Sequence, residues 1–250
     1  TLYTLLDLLN SPEVNISTIE DPIEYQMPRI NQTQVKSDIG FTFASGLRSL
    51  MRQDPDIIMV GEIRDQETAS LAINAALTGH LVLATLHTNS AAGTVSRLVD
   101  MGVESFLMVS TLKAAVGQRL VRRVNESTRE QYTLSSNEKA KLSKYADLDR
   151  ILDTMKEEKI IKANATWNSV PFYHAGENPA GEEGYKGRAG IHEILPFTPT
   201  IKELVMANGT SDQIEAQARK DGMLTMLEDG IYKAARGITT IEEVLRVINE

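Results

Sequence analysis

Glu62 stands directly after the run Ile57-Ile58-Met59-Val60-Gly61, which Gln53-Asp54-Pro55-Asp56 precedes. Four consecutive apolar residues between turn signals read as a short strand buried on both faces. The carboxylate therefore emerges where that strand stops and a helix begins. Open α/β sheets bind their ligands at the carboxyl ends of the strands. A carboxylate there can order a water or sit beside a Mg²⁺–phosphate group. A second acidic set, Glu20, Asp21 and Glu24, follows the strand-like stretch Asn15-Ile16-Ser17-Thr18-Ile19. Three carboxylates within five residues raise one another's pKa unless a cation lies among them. Two histidines, His80 and His87, bracket a third apolar run. An extended strand of that length holds them roughly 20 Å apart, so without a bend they cannot share one metal ion. His87, at the carboxyl end, is expected to point into the same cleft as Glu62.

The elements that must position these groups follow from periodicity. Thr1 to Asn10 reads as the tail of a helix with Leu2, Leu5, Leu6 and Leu9 at helical spacing, ended by Ser11-Pro12. Met27 to Gly40 is polar and irregular, expected as a hairpin or extended loop. Phe41 to Gln53 is a helix whose apolar side is Phe43, Leu47, Leu50 and Met51. Asp65 suits the N-cap of an Ala-rich helix with Glu67 in its first turn, and Thr78-Gly79 stops it near Leu77. His80 to Asn89 is the third strand. Ser90 to Met101 and Ser105 to Arg119 read as two more helices. The first ~120 residues thus alternate helix and strand, which implies an α/β fold with a mainly parallel sheet and helices on both faces.

Beyond Val121-Arg122-Arg123 the character changes. Asn125 to Lys162 is charged and helix-prone, with Leu142, Tyr145, Leu148, Ile151, Leu152 and Met155 at helical spacing. Asn164 to Gly190, which holds the only Trp, is expected as a loop or hairpin. Ile191 to Leu195 is a short strand closed by Pro196. Helices follow at Ile201–Ala207, Ser211–Lys220, Met223–Arg236 and Ile241–Ile248. Ser211 and Thr240 suit their N-caps, the second with Glu243 completing a capping box.

Composition narrows the function classes. The 250 residues are 42% hydrophobic and 24% charged, as in a globular protein with a real core. No apolar segment approaches the ~20 residues of a membrane span. The absence of cysteine excludes disulfides and thiolate metal sites and fits a reducing cytoplasm. A formal net charge of −8 argues against a nucleic-acid partner, because phosphate contacts need clustered Lys and Arg.

Three stretches together carry a resemblance. Thr18-Ile19-Glu20-Asp21-Pro22-Ile23-Glu24-Tyr25 resembles the Asp box of the secretion and pilus-assembly ATPases. Leu50 to Asp65, containing Asp56-Ile57-Ile58-Met59-Val60-Gly61-Glu62, resembles their atypical Walker B motif, with Gly for the usual Asp. Thr78-Gly79-His80 through His87-Thr88-Asn89 resembles their His box. The likeness continues through Gln118-Arg119-Leu120-Val121-Arg122 and resumes at Gly184-Tyr185-Lys186-Gly187-Arg188. It implies a RecA-like P-loop NTPase core at 1–123, an insertion at 124–183 in place of the family's zinc module, a return strand at 184–197 and a small all-helical C-terminal subdomain at 198–250. It further implies an ATP- and Mg²⁺-dependent homo-hexameric motor at the cytoplasmic face of the inner membrane. Such a motor works against membrane-platform proteins to drive type IV pilus assembly or type II secretion. By the same resemblance Glu62 would orient or activate the attacking water, with Glu24 and Glu20 as further candidates for the base and Asp21 lining the cleft. His80 and His87 would sense the γ-phosphate or couple hydrolysis to motion, and Arg64 and Arg119 would contact phosphate or a neighbouring subunit.

Two departures qualify the resemblance. No Gly-x-x-Gly-x-Gly-Lys-Ser/Thr run occurs in the chain. In the family it lies immediately before the helix that Thr1-Leu2-Tyr3 resembles, so the chain is expected to be an inactive piece of an active enzyme. The insertion holds no cysteine, and His174 and His192 alone cannot replace four thiolates, so no zinc is expected. A retraction ATPase and a non-catalytic ring scaffold on the membrane platform are the alternatives. The insertion favours an assembly motor over retraction. The retained Glu62, Glu24 and His87 disfavour a scaffold.

Overall fold

The apolar run ahead of Glu62 forms a strand in which all of Ile57–Val60 is buried. The computed structural model describes residues 1–176 and 184–249. The chain begins α1 (Leu2–Leu9), β1 (Ile16–Glu20), β2 (Ile30–Gln34), α2 (Phe43–Leu50), β3 (Ile57–Val60), α3 (Gln66–Leu77), β4 (Leu81–Ala84), α4 (Gly93–Asp100), α5 (Ser105–Thr111). It continues β5 (Ala114–Val124), β6 (Glu130–Tyr132), α6 (Ser136–Leu142), α7 (Leu148–Glu157), β7 (Phe172–His174), β8 (Tyr185–Pro196), α8 (Pro199–Met206), α9 (Ser211–Lys220), α10 (Met226–Ala235), α11 (Ile241–Asn249). Two compact units result, Thr1–Lys113 with Phe197–Glu215, and Ala114–Pro196 with Ala216–Glu250. This division differs from the expected one: it falls at 113 rather than 123, and the helices after 198 are shared between the units instead of forming a separate subdomain.

The first unit is built on a parallel sheet of order β2-β1-β3-β4. Alternation along β1 and β3 gives the sheet two apolar faces. Ile16, Ile57 and Met59 pack with Leu6 of α1, Met27 and Ile30 on one of them. On the other, Gly46 of α2 lies so close to Ile19 that a Cβ there would stand 2.6 Å from its Cδ1. Helices therefore cover both faces. β2 corrects the expected loop at 27–40. It is an edge strand carrying Asn31, Gln32, Thr33 and Gln34, and a strand with one neighbour needs no apolar run. The expected strand 80–89 shortens to Leu81–Ala84, matching the four residues that β3 offers.

The expected helix 105–119 ends at Thr111, and Ala114 opens the second unit with an eleven-residue strand. Its antiparallel partner β8 starts at Tyr185, earlier than the expected Ile191. The spacing of Leu112, Ala115, Val116 and Leu120 fits a helix as well as a strand, and a partner some seventy residues downstream decides between them. Leu142, Ile151, Leu152, Met155, Trp167, Val170 and Phe172 bury against Ile231, Tyr232 and Ala235 of α10. The charged segment after Val124 therefore contributes its own apolar core. Of the stretch expected as a loop or hairpin, 177–183 lies outside the described residues. Among the C-terminal helices, Thr210 rather than Ser211 caps α9, its Oγ1 accepting from Gln213 N while Gln213 Oε1 accepts from Thr210 N.

Two buried carboxylates tie this unit together. Glu228 accepts from Asp147 N, Arg219 and Thr225 N. Glu243, 1% exposed, accepts from the Arg122 backbone and guanidinium and from Arg246, while its own N–H caps onto Thr240 Oγ1. Burial pushes the Glu243 carboxyl up, but the hydrogen bonds from Arg246 and Arg122 outweigh it and hold the pKa at about 2, below its ordinary 4.5. A depressed folded pKa adds stability that is complete above about pH 4.5 and is lost as pH falls through about 2. Glu243→Gln should cost about 2–3 kcal/mol at pH 7 and flatten that acid loss. Urea unfolding from pH 7 to pH 2 reads both, and an unchanged acid limb would contradict the contact.

Candidate active site

Register fixes the site. Ile19, Val60 and Ala84 are level across β1, β3 and β4, so Glu20, Gly61 and Thr85 all stand one residue past them at the same carboxyl edge. A Cβ at Gly61 would lie 3.2 Å from Ile19 O and 3.3 Å from Glu20 Cα, a tight approach to backbone that favours glycine there. Its N–H donates to Ile19 O at 2.8 Å. Thr85 then holds the turn out of β3, with Oγ1 donating to Gly61 O at 2.5 Å and its carbonyl accepting from Ile63 N at 2.9 Å. Three residues past Glu62, Asp65 caps α3 through Thr68 N at 2.8 Å. Glu62 is thereby pinned between a strand end and a helix start.

The Glu62 side chain is 11% exposed, whereas its partners Arg64 and His87 are 66% and 78% exposed. Arg64 Nε donates to Glu62 Oε2 at 2.5 Å, and His87 Nε2 lies 3.1 Å from the same oxygen. An ionised carboxylate only accepts, so the second contact puts a proton on Nε2. Burial pushes the Glu62 carboxyl up, yet the hydrogen bonds from Arg64 and His87 outweigh it and hold the pKa below the ordinary carboxylate value. Arg64 is also the cation among the acids: its own pKa is raised by the Glu62 contact and further by the charge of Asp21. Both donors bind Oε2, and Oε1 is the oxygen open to accept from a water.

Glu62 shares a cavity of about 180 Å³ with Tyr3, Glu20, Asp21 and Glu24. The four carboxylates expected in one cleft are thus brought together, in different states. Asp21 and Glu24 sit on an exposed loop. Glu20 is buried and bound by Thr18 Oγ1, Gln32 Nε2 and the Tyr3 hydroxyl. His80 is not among them. It precedes β4 at the opposite, amino edge, with Nδ1 2.9 Å from Ala75 O and 3.1 Å from Thr78 Oγ1. Arg119 lies exposed on β5, opposite Ile191 in the second unit. His174 stacks on Tyr132 and meets Glu242, while His192 neighbours Lys233 and Asp229. Among the described residues no three His, Asp or Glu side chains could hold a metal ion. A larger depression at the head of α3, about 630 Å³, contains the ion pair Arg48–Glu67 and the capping Asp65. It is a shallow surface whose charged groups already have partners, Glu67 on Arg48 and Asp65 on Thr68. Tyr3, Gln32 and Thr85 carry no signal in the sequence, because an aromatic, an amide and a hydroxyl gain meaning only from what they meet.

The sequence model of the family described as Type II/IV secretion system protein matches residues 1–246. The Type II secretion system protein E of Xanthomonas campestris pv. campestris is 48% identical over 250 residues, 100% of this chain and 41% of that protein. The Type IV pilus assembly ATPase PilB of Thermus thermophilus is 45% identical over 245 residues, 98% of this chain and 26% of that protein. The chain therefore spans less than half the length of these curated relatives. Among solved structures, the pilus retraction motor PilT with bound ADP matches with a TM-score of 0.65 and 26% identity, covering 98% of this chain and 56% of that one. With the parallel sheet covered on both faces, this likeness gives the chain a RecA-like α/β fold.

Removing either donor should release the Glu62 carboxyl. Arg64→Ala and His87→Ala should each raise its pKa, and the double variant should raise it furthest. Carboxyl-carbon NMR titration of Glu62 reads this directly, and an unmoved midpoint in both single variants would reject the contacts.

Proposed function

This chain belongs to the Type II/IV secretion system protein family, and on that footing we propose that it is the water-activating part of an ATP-hydrolysing motor for type II secretion or type IV pilus assembly. The observation that carries the reading is Glu62, pinned at the carboxyl edge with one oxygen engaged and the other open. In the hydrolysis, Oε1 accepts a hydrogen bond from the water that attacks the γ-phosphorus. With Arg64 and His87 on Oε2 the carboxylate is a weak base, so it aligns the water more than it strips the proton. Phosphoryl transfer demands positioning and charge stabilisation above all, and alignment meets that demand. Glu24, on the loop bordering the same cavity, is the second candidate for the proton acceptor. His87, exposed and bonded to Glu62, can report on a phosphate through that bond. Arg64 and Arg119 are proposed phosphate or intersubunit contacts, and His80 a coupling residue at the far end of β4.

The donor set fits a nucleotide-borne metal. Mg²⁺ is commonly held by one or two carboxylates together with substrate phosphates and waters. Asp21, Glu24 and Glu62 offer that, and no closed metal cage exists among the described residues. When bound, Mg²⁺ neutralises charge developing on the phosphate oxygens. The phosphate grip itself is proposed to come from a Gly-rich loop outside the 250 residues, which leaves the chain alone inactive. The complete gene product is proposed to be a homo-hexamer acting with membrane-platform proteins at the cytoplasmic face of the inner membrane, without nucleic acid or zinc. No helix among the described residues is long and apolar enough to cross a membrane.

A retraction motor is the second reading, supported by the 26% identity to PilT. Identities of 48% and 45% to a secretion protein and an assembly ATPase favour the first. In the complete gene product, Glu62→Gln should slow ATP hydrolysis on the order of 10²-fold or more while preserving ATP binding. Phosphate release and a fluorescent-nucleotide titration measure the two separately. Wild-type turnover in the variant would reject the assignment.

A further inference from the structure

Glu20 is the most buried of the four acids at the cavity, 3% exposed, and both its oxygens are engaged. Oε1 accepts from Thr18 Oγ1 at 2.5 Å and from Gln32 Nε2 at 3.2 Å, and Oε2 accepts from the Tyr3 hydroxyl. A carboxylate in that state has little capacity left to take a proton from water. Each of its two long partners, however, goes on to grip the loop that carries Asp21 and Glu24. The Tyr3 oxygen accepts from Glu24 N at 3.1 Å. Gln32 Nε2 donates to Tyr25 O at 3.1 Å, and Gln32 Oε1 accepts from Met27 N at 2.7 Å. The two Gln32 loop bonds fix its amide orientation, since one end must accept and the other donate. The Tyr25 ring stands edge-on to Tyr3, with centroids 4.6 Å apart at 88°.

Three main-chain atoms of the loop, at Glu24, Tyr25 and Met27, are therefore held by two side chains that Glu20 itself orients. Glu24 has no such restraint on its own carboxylate, which borders the cavity with Glu62. We propose that Glu20, Tyr3 and Gln32 form a positioning frame that sets Glu24 against the reacting water, and that Glu20 is not itself a base. This rests on the hydrolytic reading of the site. Because Tyr3 belongs to α1, the frame also ties the placement of Glu24 to that helix.

The test is a mutant cycle on steady-state ATP hydrolysis by the complete gene product. Tyr3→Phe keeps the ring and removes one relay oxygen. It should lower kcat about tenfold with KM nearly unchanged, the scale of one lost hydrogen bond. Glu24→Gln should lower kcat about 100-fold. The double variant should be no slower than Glu24→Gln, because Tyr3 acts only through Glu24. Glu20→Gln, which keeps an acceptor for Tyr3, should lose no more than Tyr3→Phe, whereas Glu20→Ala should lose at least as much. Three results would each overturn the frame: losses that multiply in the double variant, Tyr3→Phe at the wild-type rate, or Glu20→Gln as slow as Glu24→Gln. Glu62→Gln, run alongside, keeps the premise separate. If it turns over normally the hydrolytic reading fails, whereas its loss beside a fully active Tyr3→Phe overturns the frame alone.

Discussion

Parallel strands that start level also finish level, and everything at this site depends on that. Ile16, Ile57 and Leu81 begin β1, β3 and β4 in register. Strands of four or five residues therefore release Glu20, Gly61 and Thr85 at one edge, and Glu62 and His87 just beyond it. The cost is steric: two backbones converge where β3 passes the end of β1, and a Cβ at Gly61 would crowd Ile19 O and Glu20 Cα. In return, Thr85 can clasp the turn from both sides, and Glu62 cannot wander. With Gly61 and Ile63 hydrogen-bonded on either side of it and its carboxylate held by Arg64 and His87, Glu62 is pre-organised before any ligand arrives, which is the condition under which alignment of a water contributes to rate.

The buried acids of the chain show how surroundings rather than residue type assign a role. Glu243 lies between two arginines with both oxygens committed, and its depressed pKa makes it a fastener. Glu20 is equally committed, but to neutral donors that in turn shape a loop. Of these three, Glu62 has its donors on one oxygen. Burial would raise the energy of any of these carboxylates, and each is tolerated because specific donors repay it. The proposed chemistry rests on that remaining acceptor capacity beside the cavity.

Much of this could be read from the residues. The apolar run before Glu62, the Asp65 cap and the stop at Gly79 are local signals, and the structure contains each of them. What escaped was whatever depends on distant partners. The polar Ile30–Gln34 becomes a strand because β1 has a free edge to offer. Ala114–Val124 becomes a strand because β8 waits beyond the helical segment. His87, at the carboxyl end of its run, was expected beside Glu62 and is found there, whereas His80 meets Ala75 and Thr78 at the amino end of β4, contacts that only the folded chain shows. Tyr3 and Gln32 had no signal, since their importance lies entirely in hydrogen bonds across 17 and 12 residues of sequence.

The proposed function, with the water-side carboxylates on these residues and the phosphate grip on a Gly-rich loop that they do not contain, has a direct thermodynamic consequence. Most triphosphate binding energy in such sites comes from loop N–H groups, a Lys and a Mg²⁺-ligating hydroxyl. Glu20, Asp21, Glu24 and Glu62 instead present negative charge to a polyanion. Calorimetric titration of the 250-residue chain with Mg–ATP, beside the complete gene product, measures that difference most directly. Binding by the complete product with no measurable heat from the chain alone is the expected result. Micromolar affinity in the chain alone would contradict the division, and would mean that the phosphate site is built from residues within it.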